Sequence, residues 1–178
     1  MLTVAFISHH MSVKANILID QTGNPRLVDF GLLIIISDPA NLLFSSSCVQ
    51  GGTPRWMSPE LLSPEEFGLK TSRPTKSSDC YSLGMVIYET ISGNAPFHED
   101  TDAAVILKVM KGVRPRRTLA FEGLWETLQE CWVAEPGKRP SIEVILQRLD
   151  VCQTSSVPTH GDVMRSVRVN LVHSAEIL

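Results

Sequence analysis

The stretch Ser77–Gly93, SSDCYSLGMVIYETISG, decides how the rest of the chain is expected to fold. Its apolar side chains point in too many directions for one amphipathic stripe: Leu83, Met85, Val86, Ile87, Tyr88 and Ile91. A helix that is apolar on nearly every face lies in a core or in a membrane. This stretch is too short for a bilayer, which requires about 20 apolar residues. We therefore expect a helix buried at the centre of a globular domain.

Both ends of this stretch carry residues that are typical of helix termini. Ser77, Ser78 and Asp79 have side-chain oxygens that can accept hydrogen bonds from the free amide groups of the first turn. Gly93 suits the left-handed residue that follows many helices. The sequence thus predicts a helix over residues 77–93 that is capped at both ends.

Composition places the chain among globular domains and excludes several partner classes. The 178 residues are enough for one domain, with 43% hydrophobic and 20% charged residues. The net charge of -3 gives no electrostatic basis for binding nucleic acid or an anionic membrane. The cysteines at 48, 80, 131 and 152 have neither metal-ligand spacing nor the density of a disulfide scaffold, and the start MLTVAFIS lacks the features of a signal peptide. We expect a cytoplasmic or nuclear location, with no membrane or nucleic acid as partner.

A short β-hairpin is expected near the N terminus. Residues 17–19 (ILI) are β-prone, residues 22–25 (TGNP) form a turn cluster, and Leu27–Val28 begin a returning strand. Asn16 and Asp29 flank the open end of this hairpin, so an amide oxygen and a carboxylate could meet at one hard cation. On this pair alone, a turn cap at Asn16 and a loop start at Asp29 are the simpler interpretation.

The order of three short motifs resembles the protein kinase family. NILID (16–20) and DFG (29–31) resemble its catalytic-loop and metal-loop pair, and residues 32–58 have the length and polar character of its activation loop. Ser58-Pro59-Glu60 then resembles the APE signature. In this family the DFG aspartate and the catalytic-loop asparagine hold the Mg²⁺ ions that bridge the ATP phosphates. The resemblance therefore implies ATP and Mg²⁺ as cofactors, with Asn16 and Asp29 as metal-binding and ATP-binding residues.

Two further segments resemble this family, the second of them its tyrosine-kinase-like group. SDCYSLG (78–84) resembles the start of the central buried helix, whose aspartate, here Asp79, accepts hydrogen bonds from catalytic-loop amides. GTPRWMSPE (52–60) resembles the substrate-docking loop, which would comprise Gly52, Thr53, Pro54, Arg55 and Trp56.

The last matching segment starts at Cys131-Trp132 and ends at Arg139-Pro140-Ser141, which resembles the CWxxxPxxRPS signature. In the family its arginine pairs with the glutamate of APE, which implies a buried ion pair between Glu60 and Arg139. Trp132 is expected to be a large core anchor rather than a ligand-stacking aromatic. The implied fold is mainly α: a protein-kinase C-terminal lobe built around the buried helix 77–93, with a short β-hairpin near the N terminus.

The resemblance covers residues 14–150 and divides the chain into three parts. Residues 1–13 do not match the family pattern. Residues 151–178 lack a sustained pattern and are expected to form a disordered tail. Between these ends, helices with one apolar face are expected at 103–111, 124–132 and 141–149.

The catalytic carboxylate of the family is missing near Asn16. The spacing H-x-D-x-x-x-x-N places its histidine at His9 and puts Met11 at the aspartate position. If Lys14 is instead aligned with the family lysine, Ser12 occupies that position. Neither a thioether nor a hydroxyl accepts the substrate proton as a carboxylate does. No intact catalytic base is therefore expected in either alignment.

The small lobe of a kinase also has no counterpart in this sequence. No glycine-rich loop, no VAIK lysine and no partner glutamate precede residue 14, and these groups hold the ATP phosphates in the family. We therefore expect the large lobe only, with negligible kinase activity of its own.

Three functions remain open. The first is the family reaction, transfer of the ATP γ-phosphate to protein hydroxyls, with Thr53 favouring Ser/Thr over Tyr substrates. The second is a pseudokinase-like module that binds protein partners, and the third is an incomplete gene product. Ser45, Ser46 and Ser47 are candidate phosphorylation sites, with Arg55 as a phosphate partner, although an unmodified solvated loop is the simpler interpretation.

Overall fold

The computed structural model describes residues 54–117 and 123–149 with their side chains, and the backbone of residues 2–3, 17–19, 25–27, 34–35 and 150–155. Single 3₁₀ turns lie at Pro54–Trp56, Pro64–Phe67 and Pro136–Lys138. The described part contains the α-helices α1 (Pro59–Leu62), α2 (Lys76–Ser92), α3 (Asp102–Met110), α4 (Trp125–Cys131) and α5 (Ile142–Ser155). The prediction of a mainly helical fold is confirmed for these residues.

Helix α2 is the buried centre of the described part. Every residue from Ser78 to Glu89 is buried. Helix α2 packs against α4 and against the turns at Pro54–Trp56 and Pro136–Lys138. This is the burial that the sequence of 77–93 predicts.

The N-terminal cap of α2 differs from the prediction. Helix α2 begins one residue earlier than expected, at Lys76, and its N-cap is Thr75 rather than Ser77 or Asp79. The Ser78 amide donates to Thr75 Oγ1 (3.1 Å), and the Thr75 amide donates to Ser78 Oγ (2.7 Å). This is a reciprocal capping box in which serine takes the place of the usual glutamate or glutamine.

Two glycines, one within α2 and one directly after it, have different structural roles. Gly93 ends the helix with a φ of 79°, the left-handed conformation that the sequence predicts. Gly84 instead allows α4 to approach, because a Cβ at this position would lie 2.7 Å from Trp132 Nε1 and 2.8 Å from Cys131 Cβ. The close packing of α2 against α4 therefore requires glycine at position 84.

The three shorter amphipathic helices lie close to their predicted positions, with shifted ends. Helix α3 starts after an N-cap at Thr101, whose Oγ1 accepts the Ala104 amide hydrogen bond. Helix α5 continues through Ser155, into the range where a disordered tail is expected. The fully buried apolar positions on these helices are Val105, Val109, Leu128, Cys131, Ile145 and Leu149. Other apolar positions on the same helices are only partly buried, namely Ile106, Met110, Ile142 and Val144.

Two pairs of short antiparallel strands are described among the N-terminal residues. Ile17–Ile19 pairs with Pro25–Leu27, so that Ile17 lies opposite Leu27. This pair lies where the hairpin is expected, and residues 20–24 between the two strands are outside the described part. Leu2–Thr3 pairs with Ile34–Ile35, a contact that the sequence does not predict.

None of the helices in the described ranges combines the length and the apolarity that a membrane crossing requires.

Candidate functional site

The described residues contain the end of the docking loop, the central helix and the residues of the implied ion pair. The other sequence-predicted site residues lie outside the described part, and their roles stay predictions: Met11, Ser12, Asn16, Asp29, Ser45, Ser46, Ser47, Gly52 and Thr53. The part of the site that can be built from contacts is therefore the surface around residues 54–60.

A serine on the central helix fixes residues 54–60, which we call the docking segment because the resemblance assigns part of it to substrate docking. Ser82 is buried on α2, and its Oγ lies 2.8 Å from the carbonyl oxygen of Trp56 and 3.1 Å from that of Ser78. Its hydroxyl proton therefore bridges the helix and the docking segment. Trp56 is itself only 3% exposed, so its indole anchors the same segment in the core.

Arg55 fixes the docking segment from the side. Its guanidinium donates hydrogen bonds to the carbonyl oxygens of Pro96, Phe97 and Asp100, and it forms a 3.1 Å salt bridge with Asp102. A planar group with several fixed donors suits such a set of acceptors. Arg55 thereby joins the docking segment to the loop at residues 96–102.

These contacts argue against Arg55 as a phosphate partner for the activation-loop serines. Its Nη1 and Nη2 atoms already have backbone and carboxylate acceptors, and its side chain is only 15% exposed. Binding a phosphate would require these bonds to break. The sequence did not reveal this because the acceptors are carbonyl groups more than 40 residues along the chain.

The loop at 96–102 has a second clamp. Lys108 Nζ on α3 lies 2.7 Å from both carboxylate oxygens of Asp100. Phe97 in the same loop has a φ of 54°, which is an uncommon conformation for a bulky residue. The loop therefore keeps a strained backbone because Arg55 and Lys108 hold it on both sides.

A buried ion pair holds the other end of the docking segment. Arg139 Nη1 and Nη2 each lie 2.7 Å from one carboxylate oxygen of Glu60, in the pairing that the resemblance implies. Arg139 also donates to the carbonyl oxygens of Val133 (2.8 Å), Ser77 (2.9 Å) and Ala134 (3.1 Å). All five N–H groups of the guanidinium thus have an acceptor. Such full pairing allows a charge to stay buried, since unpaired it would be strongly unfavourable.

A tyrosine lies between this arginine and a second one. The Tyr81 ring centroid is 5.2 Å from Arg139 Cζ and 5.4 Å from Arg114 Cζ. Arg114 in turn donates to the carbonyl oxygens of Trp132 (2.8 Å) and Val109 (3.0 Å). Burial raises the pKa of Tyr81 to about 12, outweighing the opposing effect of the two arginines. The ring therefore stays neutral and presents its negative face to both cations.

Asp79 is the second buried acid of the site. Asp79 is only 8% exposed, and this burial raises the pKa of its carboxyl group to about 8. No described residue donates a hydrogen bond to this carboxylate. The catalytic-loop amides that the resemblance assigns to it lie outside the described part.

No set of three metal-ligating side chains occurs within the described ranges. The described residues therefore do not supply the Mg²⁺ site that the resemblance assigns to Asn16 and Asp29.

Comparison with known families decides what these elements belong to. The model of the protein kinase domain matches residues 7–149. This chain belongs to the protein kinase domain family. The match begins at residue 7, whereas the sequence motifs alone begin at residue 14, so it includes His9, Met11 and Ser12.

Named relatives of this kinase domain come from several organisms. A "Probable serine/threonine-protein kinase" of Dictyostelium discoideum is 29% identical over 85% of the chain, which spans 16% of that relative. A "Dual specificity protein kinase" of the same organism is 30% identical over 84% of the chain, which spans 10% of it. A "Light-sensor Protein kinase" of Ceratodon purpureus is 34% identical over 70% of the chain, which spans 10% of it. The chain thus corresponds to a small part of each relative.

One close contact of this kinase domain was not predicted from the sequence motifs. Cys131 at the end of α4 lies against Gly84 of α2, where a Cβ would be only 2.8 Å from Cys131 Cβ. The spacing of these residues along the chain gives no sign of this contact. The contact forms only when the two helices pack, because Gly84 and Cys131 come from different motifs.

Proposed function

We propose that these 178 residues form the substrate-docking, large-lobe part of a serine/threonine protein kinase of the tyrosine-kinase-like group. We also propose that they do not transfer phosphate on their own. The observation that carries this proposal is the fixed docking segment. Ser82, Arg55 and the Glu60–Arg139 pair hold it at three points, as a surface that positions a protein chain requires.

The lack of independent activity follows from two features of the sequence. Met11 or Ser12 occupies the position of the catalytic aspartate, and loss of a general base costs about 10² to 10⁴ in rate. The residues before 14 contain no group that would orient the ATP phosphates. Orientation of reactants contributes up to about 7 to 11 kcal/mol in well-ordered systems. These two losses together leave no measurable turnover.

Mg·ATP is the cofactor of the complete family domain, where it supplies the transferred phosphoryl group. In this chain Asn16 and Asp29 would hold the metal. We propose that this binding is weak for these 178 residues alone, because residues 1–13 contain no group that would orient the phosphates. The described residues act at the protein-substrate side, where they position the docking segment.

The proposed substrates are protein hydroxyl groups, with serine and threonine preferred. Thr53 in the docking loop and the names of the serine/threonine and dual-specificity relatives support this preference. A cytoplasmic or nuclear location is proposed because the four cysteines show no disulfide pattern, as is usual in reducing compartments.

A second candidate function is a pseudokinase-like module that binds protein partners without catalysis. The docking surface supports it equally, because a fixed surface binds a partner whether or not chemistry follows. The missing carboxylate favours it.

Two measurements test the proposal. The purified chain is mixed with Mg·ATP, and its melting temperature and phosphate transfer to a Ser/Thr peptide library are recorded, with Asp29→Asn as control. We expect neither transfer nor a shift in melting temperature. An Asp29-dependent shift or any turnover would overturn the inactivity.

The second measurement separates the two candidate functions. Residues 54–149 replace the corresponding part of an active serine/threonine kinase that keeps its own small lobe and catalytic loop. If the docking surface belongs to a working kinase, the chimaera phosphorylates Ser/Thr peptides, and the same chimaera with Arg55→Ala does so with a raised KM. A folded but inactive chimaera would favour the binding module.

A further inference from the structure

We propose that the outward face of helix α3 is an interface through which two copies of this chain form a two-fold dimer. Seven of the nine residues of α3 (DAAVILKVM) are apolar, but only Val105 and Val109 are buried. Its two polar residues, Asp102 and Lys108, already form ion pairs within the chain. This inference does not depend on the proposed kinase function.

Leu107 lies at the centre of this outward face. It is 61% exposed, more than any other large apolar residue of the described ranges. Ala103 and Lys111 lie four residues before and after it, so the three residues share one side of the helix, and all of them are exposed. A helix that is apolar on nearly every side is normally buried on every side. The exposed side of α3 therefore lacks the cover that its sequence favours.

The turn after α3 extends this apolar surface. Gly112 has a φ of 77°, and the Val113 amide donates to the carbonyl oxygen of Lys108 (2.9 Å). This is a Schellman turn, which folds the chain back against the last turn of the helix. It holds Val113, which is 44% exposed, beside the end of α3. The exposed apolar surface thus includes both Leu107 and Val113.

Charges at the two ends of this face favour a second copy as its occupant. Glu99 precedes the helix, and its side chain is 74% exposed with only a 3.9 Å contact to His98. Lys111 follows the helix, is exposed, and takes part in none of the ion pairs of the described residues. Along its length the face therefore carries an acid, an apolar centre and a base.

This order of charges makes the face complementary to itself. A two-fold axis through Leu107 pairs two such helices antiparallel, so that each Lys111 approaches the Glu99 of the other copy. The small side chains of Ala103 and Ala104 leave space against which Leu107 of the other copy can pack. One side of a nine-residue helix is smaller than the roughly 800 Å² that each partner buries in a standard interface. We therefore expect a weak dimer that depends on protein concentration.

Sedimentation equilibrium of the purified full chain measures this association. Over roughly 10 to 500 µM we expect the average mass to rise from one copy towards two, with a dissociation constant of about 100 µM. Leu107→Glu places two carboxylates at the two-fold axis and should weaken association at least about tenfold. Leu69→Glu is the matched control, because Leu69 is 45% exposed in a different segment, and it should leave the mass curve unchanged.

Two charge variants test the two-fold arrangement. Glu99→Lys leaves two cations facing each other at each end of the dimer, and Lys111→Glu leaves two anions, so each variant alone should remain monomeric. Mixed in equal amounts, the two variants place a lysine opposite a glutamate at both ends. A heterodimer should then form, which sedimentation velocity detects through a fluorescent label on one variant. A mixture that stays monomeric while wild type dimerises would overturn the proposal.

Other occupants of the face would give different results, each of which contradicts the dimer. Wild type would stay monomeric up to the highest concentration, or Leu69→Glu would weaken association as much as Leu107→Glu. Binding of a monomeric wild-type chain, but not of Leu107→Glu, to phosphatidylserine vesicles would assign the face to a membrane. A lower melting temperature of Leu107→Glu in a monomeric chain would mean that another segment of the same chain covers Leu107.

Discussion

Arg139 carries a full positive charge at a position where its side chain has no exposed surface. It is stable there because Glu60 and three carbonyl groups take all of its donors. Arg139→Ala removes these partners and leaves the Glu60 carboxylate buried without its counter-charge. We expect a loss of about 3 to 5 kcal/mol in the free energy of unfolding, measured by urea denaturation.

Arg148→Ala is the matched control for this prediction. Arg148 forms a salt bridge with Glu130 at the same 2.7 Å, but the two side chains are 39% and 46% exposed. Solvent screening limits such a pair to about 0 to 1 kcal/mol. Equal losses for Arg139→Ala and Arg148→Ala would contradict the importance of burial. Glu60→Gln, which keeps the shape, serves if Arg139→Ala does not fold.

Asp79 predicts a dependence of stability on pH. Its pKa is raised from 3.8 to about 8 by burial, so the folded chain keeps a proton that the unfolded chain releases above pH 4. The stabilisation is therefore fully present below the unfolded pKa and is lost as the pH rises through the folded pKa. Between pH 4 and pH 8 the free energy of unfolding should fall by up to about 1.4 kcal/mol per pH unit from this group.

Asp79→Asn tests this prediction, because asparagine resembles the protonated acid and cannot titrate. The difference in unfolding free energy between wild type and Asp79→Asn should follow the predicted slope. A flat difference would instead mean that amide donors stabilise the carboxylate, as the family resemblance implies.

Single residues also show the reach of sequence reasoning. The Glu60–Arg139 pair could be predicted because both residues belong to recognisable signatures. Arg55 and Arg114 have contacts that no signature encodes, since their acceptors include backbone carbonyls from other segments of the chain.

At the level of elements, α2 is the part that the sequence predicts most completely. Apolar residues on all faces have only one favourable arrangement in a globular chain, which is burial on all sides. The sequence does not determine where it starts, because several neighbouring residues can cap a helix and the local backbone selects Thr75. The shorter helices were predicted within a few residues because each has one apolar face.

The contact between α2 and α4 gives a prediction at Gly84. Gly84→Ala places a methyl group within 3 Å of Trp132 and Cys131, in a core with no room for it. Overpacking of this kind costs about 1 to 3 kcal/mol, and the better helix propensity of alanine offsets only part of it. Thermal or urea unfolding measures the loss.

Gly137→Ala is the control, since a Cβ there would meet nothing within 4 Å. We expect its unfolding free energy to stay close to that of wild type. A stable Gly84→Ala variant would show that α4 can move away from α2 without cost.

For the whole molecule, one shared core joins the described segments. Trp56 from the docking segment and Trp132 after α4 belong to the same buried cluster, and Trp125 packs edge-on against Trp132 at 5.8 Å. Unfolding should therefore expose all three indoles together. We expect tryptophan emission and helical circular dichroism to change at the same urea concentration. Two separate midpoints would show that the docking segment unfolds independently of the helices.

The bonds of Arg55 have a consequence for protein engineering. Arg55 binds the loop at 96–102 mainly through carbonyl oxygens, which every amino acid provides. Exposed side chains in this loop, such as His98 and Glu99, take no part in that attachment. The residues at those positions can therefore be substituted so that the loop binds new protein partners, while its attachment to the docking segment is retained.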